Sequence, residues 1–214
     1  DYWLGWNEPI IDEIWQIEWY TTFEVERAIA MDELGLKVAV GNFSVGTPEP
    51  AELYSFLPAL ATAKELGGVF ALHEYSAPTL YAGIGAEIPD IEGIDGGGAL
   101  TLRYRYWYEH FLKPYDLVVP MVVTEAGIDG GVLRSPDLHL MGWRDFVKDL
   151  PEPLPSQTED TYLEQLSWYD DQLRRDPYVI GFAVFNAGDD NDEWVSFDVT
   201  DMLPRFTELT RSKE

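Results

Sequence analysis

Strand-length apolar runs recur five times along the chain, and each is followed by a helical pattern or by a return rich in glycine and proline. They begin at Trp3-Leu-Gly-Trp6 and continue with Leu36–Phe43, Val69–Tyr75, Leu117–Val123 and Tyr178–Phe185. The later runs are apolar almost throughout rather than at every second position, as in strands covered on both faces of a parallel sheet. Parallel neighbours need crossovers of a dozen or more residues, and the intervals supply them. The expected fold is therefore α/β, with five parallel strands in one domain spanning residues 1–214.

The returns carry their own signals. Thr21-Thr-Phe-Glu-Val-Glu26 offers a capping hydroxyl and early acids, so a helix is expected from there to Gly35. A second should end at Leu66 before Gly67-Gly68, entered at Pro58 after a shorter helical piece. In Ala99–Leu112, residues Leu100, Tyr104, Trp107, Tyr108 and Phe111 form a helical stripe, and Thr158–Arg175 and about Thr200–Thr210 complete the set. Residues 76–98 and 127–157 are long irregular returns, the kind of loop that is usually functional or mobile.

Composition narrows the partner. With 39 acids against 14 bases and a net charge of −25, the chain is poorly suited to a phosphate backbone, which is gripped by clustered lysine and arginine. A neutral or cationic ligand fits better, and neither nucleic acid nor a membrane is expected, since no stretch approaches the roughly 18 apolar residues of a span. There is no cysteine, and the three histidines lack ligand spacing, so neither a metal site nor another cofactor is expected. The acidic loop Asp189, Asp190, Asn191, Asp192 and Glu193 does not follow the spacing of a calcium loop and reads as a solvated surface. No basic or apolar leader precedes Asp1, which suggests a piece of a longer chain.

Polar residues gather at the carboxyl ends of the runs. Asn7, Glu8 and Pro9 follow the first; proline lacks an amide hydrogen and restricts its predecessor, so Glu8 is expected in extended geometry with a defined direction. Asn42 ends the second run, His73, Glu74 and Tyr75 the third, Thr124-Glu125-Ala126-Gly127 the fourth and Asn186 the fifth. In parallel α/β folds that rim is where sites are built. The 117 positions from Glu8 to Glu125 leave room for about three strand-helix units. Two carboxylates on one rim are the equipment of glycoside hydrolysis, in which one acts as acid and base and the other attacks the anomeric carbon or activates water.

These motifs, in this order and spacing, resemble clan A glycoside hydrolases, retaining enzymes built on a (β/α)8 TIM barrel. The resemblance covers strands four to eight, with three earlier strands expected in a longer parent chain. It implies a β-linked oligo- or polysaccharide as the partner, Glu8 as acid/base, Glu125 as nucleophile, Asn7 as ligand of the hydroxyl beside the reacting carbon and Tyr75 as the donor to the nucleophile. His73 and Tyr75, two apart on a strand, share one face, and Glu74 is expected on the other unless the strand has ended. The clan's strand-eight tryptophan is missing, leaving Phe185, Asn186 or Trp194 for the floor of the reacting subsite. Trp6, Trp143 and Trp194 are the candidates for stacking on sugar rings. Burial and the neighbouring charge are expected to raise the pKa of Glu8. A carbohydrate-binding protein without turnover is the reading from another class, and a transglycosylase is a third.

Overall fold

Five strands pair in chain order, all parallel, into one sheet: β1 (Tyr2–Leu4), β2 (Lys37–Phe43), β3 (Val69–Ser76), β4 (Met121–Ile128) and β5 (Val179–Val184). The sheet curls into half a barrel. The computed structural model describes residues 1–85, 87–89, 91–147, 158–190 and 192–213; Asn191 of the acidic loop and 148–157 of the second long return lie outside them. Helices α1 (Ile14–Glu33), α2 (Pro50–Glu65), α3 (Tyr104–Trp107, continued by a π-helical turn over Tyr108–Leu112), α4 (Glu159–Leu173) and α5 (Leu203–Ser212) form the return segments. Among the described residues no helix is long and apolar enough to cross a membrane.

The alternation of β3 separates two environments. Phe70 and Leu72 join the large core beneath the helices with Val38, Val40, Met121 and Val123, whereas Val69 and Ala71 pack with Ala39 and Val122 on the inner face. Small side chains inside and large ones outside suit a sheet that curls inward. Continuing the period of two places His73 and Tyr75 inside and Glu74 outside. At the edges the inner face is open: Tyr2, Leu4 and Ile180 are exposed.

Several boundaries differ from the sequence reading. α1 begins at Ile14 rather than near Thr21, because Glu13 and Gln16 form a reciprocal capping box, with the Glu13 amide donating to Gln16 Oε1 at 2.8 Å. α2 starts at Pro50 behind a Glu49 cap and runs through Pro58 without a break; Leu53, Phe56, Ala59, Leu60 and Ala63 are all buried along it, and that packing outweighs the backbone bond lost at proline. Ala99–Leu112 is helical only from Tyr104, since Leu102 adopts a positive φ of 58°. β4 starts at Met121 and carries Thr124-Glu125-Ala126-Gly127 within it, because Pro120 has no amide to open the ladder and offers only its carbonyl, to Phe70 N–H at 2.8 Å.

The return after β3 is held by close backbone approach. A Cβ at Gly98 would lie inside the contact distance of the Gly83 carbonyl and 2.6 Å from Ile84 Cα, whereas one at Gly93 meets nothing within 4 Å. Gly98→Ala is therefore expected to cost about 3 kcal/mol, at the upper end for overpacking, and Gly93→Ala less than about 0.5 kcal/mol. Denaturant melts of the two variants check this; equal midpoints would show that the return adjusts freely.

Candidate active site

Glu8, His73, Tyr75 and Glu125 converge at the carboxyl end of the sheet, in a cleft of about 340 Å³ lined by Asn7, Glu8, Tyr75, Glu125, Asp129, Phe185, Trp194 and Phe197. Two bulges aim its side chains. Between β2 and β3 the register runs from Gly41 opposite Ala71 to Phe43 opposite Leu72, so Asn42 is an extra residue, with φ of 48°. Between β3 and β4 it runs from Leu72 opposite Val123 to His73 opposite Glu125, making Thr124 extra. An added residue lets successive side chains share one face. Thr124 and Glu125 accordingly both reach the inner site, through Asn42 and Tyr75 respectively.

Glu8 reaches it by a different backbone from the one expected. Its φ is 46°, not extended, because its amide turns to donate to the Asn42 carbonyl at 3.1 Å. The carboxylate then lies over His73, Oε1 being 2.9 Å from Nδ1. Glu125 Oε2 accepts from the Tyr75 hydroxyl at 2.7 Å and stands 3.4 Å from the same Nδ1. One oxygen of each glutamate and Nδ1 all fall within 4.8 Å of one another. The side chains of Glu8 and Glu125 remain 40% and 25% exposed, enough for a ligand to reach both, while that of His73 is fully buried.

The electrostatics correct one expectation. The Glu8 carboxyl is held below the usual glutamate range, not above it: the hydrogen bond with His73 lowers its pKa most, and Ser44 adds to that against the opposing effect of burial. Burial is only partial, so the desolvation that was to raise the value is outweighed. Tyr75 is pushed far up, by burial and then by Glu125, and stays a hydrogen-bond donor. Glu8, His73 and Glu125 are, among the described residues, the group whose donor atoms could surround a metal ion, but Nδ1 and Oε1 are already engaged with each other.

The remaining expected site residues divide. Asn7 and Trp194 line the cleft, and Phe185 contributes the ring beside Tyr75, with centroids 6.3 Å apart. Asn42 is buried behind the surface and bonds Asn7, Thr124 and His73. Asn186 turns into its own loop, Nδ2 donating to the Gly188 carbonyl at 3.0 Å. Glu74 is not in the cleft: β3 continues to Ser76, so this carboxylate faces the helices and accepts from Tyr169 and the Leu102 amide. Trp143 is not a sugar platform either, since it is buried, stacked on Tyr162 at 4.9 Å, with Nε1–H donating to the Phe197 carbonyl. Trp6 stacks on Trp19 and Phe23 and does not line the cleft itself, but with Trp15 and Trp19 it lines a groove of about 400 Å³ that shares Asn7 and Glu8 with the cleft.

Asp129 and Phe197 line the cleft without having been expected there, and of the two Asp129 carries charge. Asp129 lies one residue beyond the end of β4, one oxygen accepting from the Gly131 amide at 2.7 Å, and burial, with a smaller contribution from the charge of Glu8, raises its pKa. An aspartate before two glycines reads as an ordinary turn, which hid it. The arrangement offers a carboxylate held by a phenol, a second carboxylate paired with an imidazole, an amide and an aromatic wall. No family model, no curated protein and no solved structure matches the chain, so these side chains carry the functional reading.

Proposed function

We propose that the protein hydrolyses β-linked glycosidic bonds with retention of configuration, on the carboxyl-end rim of a (β/α)8 barrel of which this chain forms strands four to eight. Glu125 attacks the anomeric carbon, Glu8 protonates the leaving oxygen and then activates water, Tyr75 holds Glu125, Asn7 binds the hydroxyl beside the reacting carbon, and Phe185 with Trp194 walls the reacting ring.

The observation that carries this reading is the approach of the two carboxylates. Oxygens of the two side chains within 4.8 Å of each other support the roughly 5 to 5.5 Å separation of carboxyl groups in retaining enzymes over the roughly 6.5 to 9.5 Å at which inverting ones admit a water. Asn7 adds support: its Oδ1 accepts from Asn42 Nδ2 at 2.9 Å, so its Nδ2 is the donor it can offer to a sugar hydroxyl. The low-lying Glu8 carboxyl favours a second reading, carbohydrate binding without turnover, because an acid that is ionised at rest has no proton of its own to give.

Proton NMR of a β-linked oligosaccharide during hydrolysis tests both. The first product is expected as the β anomer, turning to the equilibrium mixture only later. An α anomer at first appearance overturns retention, and saturable binding with no product replaces hydrolysis by the binding reading.

A further inference from the structure

Asn42 is more than a wall of the site. Its amide orientation is determined from outside: Nδ2 lies 3.4 Å from the Trp6 carbonyl, which can only accept, and 2.9 Å from Asn7 Oδ1. Oδ1 therefore faces inward, where it accepts from the Thr124 hydroxyl at 2.7 Å and stands 3.2 Å from His73 Nε2. An acceptor beside a ring nitrogen requires that nitrogen to be the donor. That leaves the opposite nitrogen, Nδ1, to face Glu8 Oε1 at 2.9 Å and Glu125 Oε2 at 3.4 Å.

We infer that Asn42 is a positioning residue that keeps a proton on His73 Nε2, so that Nδ1 and Glu8 Oε1 hold a proton between them. The two tautomers of a neutral His73 differ in what they leave Glu8. With hydrogen on Nδ1, the ring donates to Glu8 and keeps it a bare carboxylate. With hydrogen on Nε2, Nδ1 can take and return the proton it shares with Glu8 Oε1: on Nδ1 that proton leaves Glu8 ionised, in line with the lowered Glu8 carboxyl at rest, and on Oε1 it gives the acid that leaving-group protonation needs. The groups facing His73 are Glu8 from the segment after β1, Asn42 from β2, Tyr75 from β3 itself and Glu125 from β4; Asp129 acts on Glu8 from one residue past β4. The catalytic meaning rests on the glycosidase reading, whereas the tautomer does not.

Nitrogen-15 correlation spectra of the three imidazoles through a pH titration read the tautomer directly. Neutral His73 is expected with hydrogen on Nε2. Asn42→Gly suits the positive φ and removes only the amide; it should abolish that preference, move the alkaline limb of the rate profile to lower pH and lower kcat roughly 10²-fold, with KM little changed. Asn42→Asp keeps an acceptor at Nε2, so it should keep the tautomer and move the limb upward. A wild-type spectrum with hydrogen on Nδ1, or an Asn42→Gly protein with unchanged tautomer and pH profile, overturns the inference. If Asn42→Gly does not fold, the wild-type and Asn42→Asp spectra decide it. If the tautomers come out as stated while the protein turns over no glycoside, the glycosidase reading fails and the positioning of His73 stands.

Discussion

Glu125→Gln lowers kcat on a β-linked oligosaccharide by on the order of 10⁴-fold or more while leaving the melting point and sugar affinity nearly unchanged. The size follows from losing the nucleophile of a group that works as a unit; the preserved fold follows from the local contacts. Glutamine keeps an oxygen where Oε2 accepts from Tyr75 at 2.7 Å, and the site around it remains partly open to water, with 25% of the Glu125 side chain exposed. Glu8→Gln should act differently according to leaving group. An alcohol leaving group needs the proton and loses roughly 10²- to 10⁴-fold, whereas an acidic phenol departs without it and loses little in the step that breaks its bond. Steady-state rates on the two substrate types separate the roles of the two glutamates. A Glu125→Gln protein that retains its rate within tenfold would remove Glu125 from the chemistry.

The strand plan was legible because a parallel sheet writes itself as apolar runs. His73 and Tyr75 inside with Glu74 outside followed from period-two alternation alone once β3 was seen to run on. What the alternation could not reveal are its interruptions. The extra residues Asn42 and Thr124 exist only relative to a neighbouring strand, as a register that slips by one between β2, β3 and β4, and no single-strand pattern records that. Asn42 was expected on the open rim and is buried behind the cleft for this reason. Helix starts were misplaced where glutamates do the capping, at Glu13 and Glu49, in place of the short hydroxyl and amide side chains that prefer the position. The short α3 has a tertiary cause: Glu74, 28 residues earlier, accepts from the Leu102 amide at 2.8 Å.

Glu74 is also the source of a large effect on stability. Its Oε2 accepts from the Tyr169 hydroxyl at 2.6 Å and the Leu102 amide, and its Oε1 from the Tyr104 amide at 3.4 Å, tying β3 to α4 and to the start of α3. Burial nevertheless pushes this carboxyl from 4.5 up to about 7 against those hydrogen bonds. The folded state thus binds the proton more tightly than the unfolded chain. Below pH 4.5 both are protonated and the contribution is whole; as the pH rises toward 7 the unfolded chain releases its proton first, and stability falls until the folded carboxyl also ionises. A difference of 2.5 units, from the 4.5 and 7 above, corresponds to about 3 kcal/mol at about 1.36 kcal/mol per unit. Denaturant unfolding at pH 5 and pH 8 should show most of it. Glu24, Glu52 and Asp129 are shifted upward as well, and the net charge of −25 adds self-repulsion with the same slope, so the comparison is made against Glu74→Gln. With its oxygen in the Oε2 place glutamine keeps the Tyr169 and Leu102 donors and sets its NH2 only against the Tyr104 amide, at 3.4 Å the longest of the three contacts, so the variant should fold and lose about 2 to 3 kcal/mol of the difference between the two pH values. An unchanged slope would mean that Glu74 ionises alike in the folded and unfolded chain, and the burial of a carboxylate beneath α4 would then have to be offset by its three donors alone.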